Sequence, residues 1–553
     1  MTDTLCIALT QINPTVGDVV GNVARLRRAR ADAAAKGADL VVSSELVVSG
    51  YPPEDLVVRP VFQDTVEREV GALAAETADG GPGMLIGAPW VQDAKLYNAA
   101  LLLDGGGIAA VRLKHDLPNY GVFDEKRVFE IGPLPGPMNF RGVRLGVMVC
   151  EDMWAGDVTE CLEESGAEIL VVINGSPFED EKQDQRLNLA VARVTESGLP
   201  LIYVNQIGGQ DELVFDGSSF ALNGDSSLCA QTASWREDIL ATHWKREDSG
   251  WVCDIAERIA APEGEASVYA AMVLGLRDYV RKNGFPGVII GLSGGIDSAL
   301  TAAVAVDALG ADHVRCVMMP SPYTSDKSLE DAALCAERLG VRLDSISIGP
   351  AMDAFDAMLA DSFGDLPPDT TEENIQARSR GMALMALSNK TGDMVVSTGN
   401  KSEMSVGYAT LYGDMCGGYS VLKDVYKMAV FSLSRWRNVN VPDGGLGPAG
   451  EVIPERIITK PPSAELKPDQ TDQDSLPPYE DLDHILNSLN ERDLSIDDVV
   501  ADGYPRELVL RVWRMLLGAE YKRRQAPPGV KITGRSFGRD RRYPIVNAYR
   551  GKS

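Results

Sequence analysis

The sequence predicts two α/β domains in series: an α/β sandwich built on mixed sheets, followed by a doubly wound parallel sheet. Three observations predict this. At 553 residues the chain is too long for one core. In the first half short β runs follow one another at both hairpin and βαβ spacing, and in the second half strands alternate with helices of near-constant length.

In chain order, TLCIALTQI is a strand, GNVARLRRARADAAAKG a helix with a glycine stop, and ADLVVSSE a strand again. MLIGAP, YNAALLLD, IAAVRLK, VRLGVMVC, EILVVING and LPLIYVNQ come next as strands, several separated by little more than a turn. Polar residues replace this patterning in KREDSGWVCDIAERIAAPEGEA, which sets the expected boundaries: domain one at 1–245, a linker at 246–266 and domain two at 267–553. Domain two opens with helix VYAAMVLGLRDYVRKNG and strand PGVIIGL. Strands VRCVMM, LDSISI and DMVVST come after them, with a long helix at about 371–389. Pro, Gly and Asp dominate 441–478, which reads as long surface loops.

Composition removes several function classes. A formal net charge of −27 repels phosphate backbones, so nucleic acid is not an expected partner. No apolar run approaches a membrane span, and the start lacks a signal-peptide pattern. The eight cysteines are scattered without C-x-x-C and the four histidines do not cluster, against a zinc site or disulfide framework. A cytoplasmic compartment is the expectation.

Three reactive side chains stand where β runs stop: Glu45 after ADLVVSS, Lys114 after AAVRL and Cys150 after VRLGVMV. Carboxyl ends of neighbouring strands are where α/β sites form, so the three are expected to converge. Together they make a chemical unit. A neighbouring ammonium lowers a thiol's pKa below its free value of about 8.5. A carboxylate takes the thiol proton and later activates water, while the lysine and a backbone N–H stabilise the oxyanion. That assembly cleaves an amide through a thioester.

SSELVVSGYPPEDL, RLKHDLPNYGVFDEKRVF and VMVCEDMW resemble the three motifs of the nitrilase–amidase superfamily, in family order, across about residues 1–245. The resemblance implies Glu45 as general base, Lys114 as electrostatic stabiliser, Cys150 as nucleophile and an α-β-β-α sandwich. Glu125 matches an additional glutamate found beside that triad; its other reading is a surface acid. NGSPFEDEK resembles the substrate-side loop of glutamine-hydrolysing members, implying Tyr120, Ser176 and Lys182 as glutamine contacts.

Residues 291–298, GLSGGIDS, lie between strand PGVII and helix ALTAAVAVDAL. A glycine turn opening a helix gathers N–H groups for phosphate, yet the lysine of a Walker loop is missing. Gly291, Leu292, Ser293, Gly294, Gly295, Ile296 and Ser298 then suit holding the β- and γ-phosphates as a leaving group. Asp297 suits Mg²⁺. The pattern S-G-G-x-D-S resembles the ATP-pyrophosphatase loop, implying ATP as co-substrate and a Rossmann-like sheet of the adenine nucleotide alpha hydrolase type.

The pairing of these halves resembles the glutamine-dependent NAD synthetase family along nearly the whole chain. TEENIQARSRGMALMALSN implies Asn374 and Arg378 at deamido-NAD⁺, and STGNKSEMSVGYATLYGD implies Thr398 for ATP and Glu403 for magnesium or the dinucleotide. VLKDVYK and KPPSAELKPDQTDQDSLPPY imply Lys427 and Ser463 as ATP contacts, and EYKRR implies Lys522 at the dinucleotide. Ser463 replaces a threonine common in relatives, and Tyr521 stands where relatives place a histidine. The implied reaction turns deamido-NAD⁺, ATP and L-glutamine into NAD⁺, AMP, pyrophosphate and glutamate, with ammonia passing between sites in a homo-oligomer. Two other readings stay open on the residues alone: another glutamine-fed adenylating enzyme, separable by substrate assay, and a non-catalytic nucleotide sensor, separable by AMP formation. The tail GRSFGRDRRYPIVNAYR reads equally as phosphate-binding, subunit-packing or solvated.

Overall fold

A computed structural model describes residues 3–180, 182–468 and 470–549. The chain divides into two compact units, Met1–Pro262 and Glu263–Ser553. The first contains β1 (Thr4–Gln11), α1 (Val19–Ala35), β2 (Leu40–Ser43), α2 (Pro60–Glu76), β3 (Gly83–Gln92), β4 (Lys95–Asp104) and β5 (Gly107–Leu113). It continues with β6 (Met138–Phe140), β7 (Val143–Val149), α3 (Asp157–Glu164), β8 (Ile169–Asn174), α4 (Lys182–Ser197) and β9 (Leu201–Asn205). A hairpin of β10 (Ile207–Gln210) and β11 (Leu213–Asp216) leads to β12 (Phe220–Leu222), β13 (Leu228–Gln231), β14 (Asp238–Glu247) and β15 (Gly250–Cys253).

Two mixed sheets form, in the orders β15-β14-β1-β2-β3-β4-β5 and β13-β12-β9-β8-β7-β6. Strand β1 shows why its sequence is apolar from Leu5 to Leu9. Leu5, Ile7 and Leu9 enter the core between the sheets with Leu145, Val147 and Ile173 of the second sheet. Cys6 and Ala8 face the other way, against Val23 and Leu26 of α1 and Val70 of α2. A strand buried on both faces has no polar side to alternate with. Helices α3 and α4 cover the far face of the second sheet through Leu162 and Val194. The result is the expected α-β-β-α sandwich.

The expected linker needs correction. Residues up to Cys253 belong to the first sheet, because β14 pairs with β1 and β15 pairs back on β14. Trp244, Trp251 and Cys253 point into the inter-sheet core while the polar residues between them face outward. The polar alternation of a half-exposed hairpin reads, from composition alone, like a connection.

The second unit runs α5 (Gly264–Lys282), β16 (Val288–Gly291), α6 (Ile296–Leu309), β17 (Val314–Met318), α7 (Asp326–Leu339), β18 (Arg342–Ser345), α8 (Gly349–Phe363), α9 (Thr370–Thr391) and β19 (Met394–Ser397). Then come α10 (Lys401–Val406), β20 (Tyr419–Ser420), α11 (Lys427–Val439), α12 (Glu455–Thr459), α13 (Tyr479–Asn490), α14 (Ile496–Ala501), α15 (Arg506–Gly518) and α16 (Glu520–Arg523). All five strands are parallel, in the order β18-β17-β16-β19-β20. The chain moves outward from β16 through β17 to β18, then returns to the other side of β16 as β19. Ligands in such sheets sit at that reversal, beyond the carboxyl ends of the strands. The described residues of 441–478 are irregular apart from α12 and one turn of 3₁₀ helix. The arginine-rich tail does something that none of its three readings named: it packs within its own unit, with Phe537 and Arg541 buried, and only its last residue, Arg550, lies outside the described residues.

Helix α6 is buried along nearly its whole length and carries one charged core residue, Asp307. Arg437 of α11 grips both of its oxygens at 2.6 and 2.9 Å, and Tyr269 of α5 donates to it at 2.7 Å. Both members of the pair are fully buried. Removing one partner strands the other in the core, so Arg437→Ala is expected to cost the second unit about 3–5 kcal/mol. Urea unfolding of the intact chain measures it. The double replacement Asp307→Leu, Arg437→Met should recover part of that loss.

Candidate functional site

In the first unit the three strand-end residues come from two different sheets. Glu45 and Lys114 follow β2 and β5 of the first sheet, whereas Cys150 follows β7 of the second. The site therefore lies where both sheets end, and its strands are not neighbours within one sheet.

Lys114 and Glu45 are fully buried, and Glu125 and Cys150 nearly so. The Lys114 ammonium donates to Glu45 at 2.7 Å and to both oxygens of Glu125 at 2.9 Å. Glu45 also accepts from Asn98 Nδ2 at 2.7 Å and from the Gly175 N–H at 2.8 Å. Glu125 accepts from the Tyr51 hydroxyl at 2.9 Å, so it is a member of the cluster and not a surface acid. Burial alone would lower the Lys114 pKa, but the charges of Glu125 and Glu45 outweigh it and hold the ammonium well above its ordinary range. Glu125 is pushed from 4.5 up to about 7, first by burial, against the pull of Lys114.

Cys150 has a positive φ of 49°, which swings its side chain out at the sharp turn between β7 and the following 3₁₀ helix. Its thiol pKa is raised, not lowered as expected. Burial is the main cause and the Glu45 charge adds to it, while Lys114 opposes. The ammonium does pull the thiol pKa down, but burial and the Glu45 charge outweigh it.

The expected glutamine contacts occupy different settings. Tyr120 is half exposed and donates to Glu151, beside the cysteine, at 3.1 Å. Ser176 is buried, its hydroxyl held by Arg186 at 3.1 Å. The Lys182 ammonium pairs with Glu179 at 3.2 Å and lies 5.3 Å from the ring centre of Trp154.

In the second unit a cleft of about 310 Å³ opens at the sheet reversal, lined by the GLSGGIDS loop, Thr398, Glu403, Lys427 and Ser463. No side chain caps α6 at Gly295, which leaves that helix start to a ligand. Ser298 fixes the loop from inside: its hydroxyl accepts from the Ser293 N–H at 3.2 Å and donates to the Gly295 carbonyl at 2.9 Å. Gly294 is required, with φ at 77° and a Cβ that would fall 2.3 Å from the Ser328 carbonyl.

Lys427 bridges Asp297 at 2.5 Å and Glu403 at 3.2 Å. Asn400 donates to the other Asp297 oxygen at 2.8 Å. Burial raises Glu403 to about 8, with Lys427 opposing and Asp297 and Asp472 adding to the rise. Among the described residues no three His, Cys, Asp or Glu side chains form a metal cage. Two carboxylates nonetheless suit magnesium, which takes one or two from the protein and the rest of its oxygens from substrate phosphates. Asn374, Arg378 and Lys522 gather round one loop, at Thr410 (2.9 Å), the Leu411 carbonyl (3.2 Å) and the Gly407 and Ala409 carbonyls (2.8 and 2.6 Å). Tyr408 and Ala409 of that loop line the cleft. Ser463 bonds within its own segment, accepting from the Glu465 N–H at 3.2 Å.

A family profile described as carbon-nitrogen hydrolase matches residues 6–250, and one described as NAD synthase matches residues 268–526. A glutamine-dependent NAD(+) synthetase from Rhodobacter capsulatus is 50% identical over 553 residues, covering 100% of both chains. The chain belongs to the glutamine-dependent NAD(+) synthetase family. A second relative of that description, from Acinetobacter baylyi, is 44% identical and covers 98% of each chain. The solved structure of the Acinetobacter baumannii glutamine-dependent NAD+ synthetase in complex with ADP matches with a TM-score of 0.79 at 42% identity, over 100% of both chains. The two units are accordingly a glutaminase unit and an NAD synthase unit.

Sequence reasoning missed three residues of the synthetase. Asn98, inside β4, links Glu45 to Glu125, which it reaches at 3.3 Å; an amide within an apolar strand carried no chemical signal. Asp152 accepts from the His115, Asp116 and Val149 N–H groups at 3.0, 2.8 and 3.0 Å. It thereby locks the turn of Cys150 to the strand end of Lys114, and its place two residues after the cysteine was a usable clue. Arg380 lines the cleft of the second unit, its Nε donating to the Met319 carbonyl at 3.1 Å. Burial lowers its pKa, with Glu465 and Asp414 acting only at a distance.

The raised Glu125 value has a thermodynamic sign. Its folded pKa exceeds its unfolded one, so Glu125 takes up a proton on folding between about pH 4.5 and 7. Stability therefore falls as pH rises through that window, by up to about 1.4 kcal/mol per pH unit. Glu125→Gln is expected to remove this component. Unfolding free energies of both proteins at pH 5, 6 and 7 give the slopes, and parallel slopes would mean that Glu125 ionises normally.

Proposed function

We propose that the chain converts deamido-NAD⁺, ATP, L-glutamine and water to NAD⁺, AMP, pyrophosphate and L-glutamate, with the residues above in specific roles. The observation that carries the reading is the coexistence of two intact sites of complementary chemistry: an amide-cleaving Cys–Glu–Lys cluster and a lysine-free phosphate loop bearing Asp297.

At the first site Glu45 takes the Cys150 proton as sulfur attacks the glutamine amide carbon. The raised thiol pKa makes this base necessary. The Lys114 ammonium stabilises the oxyanion. Glu45 returns the proton to the departing nitrogen, ammonia leaves and a thioester remains. Glu45 then draws a proton from water, whose oxygen attacks the thioester, releasing glutamate and restoring the thiol. Tyr120, Ser176 and Lys182 are assigned to hold the glutamine.

At the second site a nicotinate carboxylate oxygen attacks the ATP α-phosphorus and pyrophosphate departs. Ammonia then attacks the acyl carbon and AMP leaves. The loop N–H groups, Ser293 and Ser298 hold the departing phosphates, and Thr398, Lys427 and Ser463 are assigned to the rest of ATP. Asn374, Arg378, Glu403 and Lys522 are assigned to deamido-NAD⁺. Asp297 and Glu403 would hold Mg²⁺, which supplies positive charge against the phosphates when bound. The ADP in the Acinetobacter baumannii complex supports an adenine nucleotide in this cleft.

The finer readings of setting belong here too. No helix among the described residues is long and apolar enough to cross a membrane. All eight cysteines are free of disulfides, which supports a reducing cytoplasm. Helix α8 has no buried residue, and its exposed Phe355 and Met358, with Met382 of α9, support association into a homo-oligomer.

Cys150→Ala is expected to lose glutamine-dependent NAD⁺ formation by at least about 10³-fold while keeping ammonium-dependent formation within twofold. Asp297→Asn is expected to lower both by about 10²-fold or more, in the range of other lost electrostatic contacts. NAD⁺ and AMP quantified with each nitrogen source decide the matter: glutamine use by Cys150→Ala would remove the nucleophile assignment.

A further inference from the structure

The NAD synthase profile ends at residue 526, yet the chain continues as an ordered segment against its own unit. That segment converges on α10, whose N-cap Asn400 contacts Asp297 and whose Glu403 contacts Lys427. A helix of six residues does not hold itself together in water. Five of the six are buried, and the sixth is Glu403.

The start of α10 leans directly on the chain beyond residue 526, and its end leans on that chain through α16. At its start the fully buried Lys401 ammonium reaches Asp424 at 2.7 Å, the Thr533 hydroxyl at 2.7 Å and the Arg535 carbonyl at 3.1 Å, with Glu491 as a further partner. Asp424 in turn accepts from the Ile532 and Thr533 N–H groups, both at 2.7 Å, and from the Thr533 hydroxyl at 3.1 Å. At its end the Ser405 carbonyl accepts from Arg523 at 2.6 Å. Glu520 joins Arg523 at 2.8 Å to Arg541 at 3.1 Å. Between the two ends the Phe537 ring centre lies 4.7 Å from the Arg523 guanidinium and 5.7 Å from the Lys401 ammonium.

We propose that the C-terminal segment 528–541 is a positioning element of the NAD synthase site, with Thr533 and Arg541 setting the two ends of α10 and so the placement of Asn400 and Glu403. The proposal rests on the reading of Asp297, Glu403 and Lys427 as the nucleotide site. Thr533 both accepts from Lys401 and donates to Asp424, a dual role that serine can keep and valine cannot. Arg541 is turned inward to Glu520 and Tyr543, its guanidinium 3.6 Å from the Tyr543 ring centre, so it acts through α16 and not on a ligand.

The test uses the full chain with Thr533→Val, Thr533→Ser and Arg541→Gln. Amide exchange is followed in metal-free, nucleotide-free protein, and NAD⁺ formation is followed with ammonium. Thr533→Val is expected to speed exchange at residues 403–406 tenfold or more, with α13 and α15 unchanged within twofold, and to lower kcat about tenfold. Thr533→Ser should restore both within twofold. A uniform rise in exchange across the unit, or an unchanged kcat in folded Thr533→Val, would overturn the proposal by reducing the segment to general stabilisation. If Thr533→Val does not fold, Arg541→Gln decides: local exchange at 404–406 with at least threefold lower kcat sustains the proposal, and wild-type values sink it. Glu403→Gln run alongside separates the two readings. Full activity there removes the nucleotide-site assignment, while the exchange data still report whether the segment holds α10.

Discussion

Each half of this synthetase is organised around a lysine ammonium buried between two carboxylates: Lys114 between Glu45 and Glu125, and Lys427 between Asp297 and Glu403. Charge is expensive to bury and must be matched locally. Burial first, and then the negative charge left over by two acids against one base, raise a carboxyl at each site, Glu125 to about 7 and Glu403 to about 8. The sealed first cluster can relieve the excess only by taking a proton. The second opens into a cleft, where, under the proposed function, a divalent cation arriving with its nucleotide would relieve it instead. The same arithmetic of charge thus suits one site to proton transfer and the other to phosphate chemistry.

Much of this was legible in the sequence because strand ends are. A run of apolar residues followed at once by Glu, Lys or Cys marks both a strand and the side chain it presents, which is how Glu45, Lys114 and Cys150 stand out. The GLSGGIDS loop is legible for the same reason, with its missing lysine as informative as the aspartate present. The parallel order of the second sheet followed from strand–helix alternation.

The features that the sequence hid depend on facts that no single segment carries. That Cys150 comes from the other sheet is decided by how strands pair across 100 residues. The upward shift of its thiol pKa is decided by burial and by the Glu45 charge, neither of which is written locally. Asn98 lies in the apolar strand YNAALLLD, so its one polar side chain resembles noise until Glu45 and Glu125 are placed beside it. The hairpin β14–β15 shows only its outward polar alternates to a composition scan, while Trp244 and Trp251 do the packing. The arginine-rich tail misleads in the opposite direction, since Arg541 spends its charge on Glu520 inside the unit.

The origin of the glutaminase cluster in two sheets makes its geometry a property of the sandwich as a whole. Cys150 and Glu45 keep their spacing only while the inter-sheet layer of Leu9, Val42, Val147 and Ile173 stays in register, aided by the Asp152 tether between the two strand ends. A core change that lets one sheet slide by a fraction of an ångström, harmless to folding, would misalign sulfur and carboxylate. In natural variation, the use of glutamine would then be lost to drift in the core well before the fold itself, leaving proteins that survive on free ammonium.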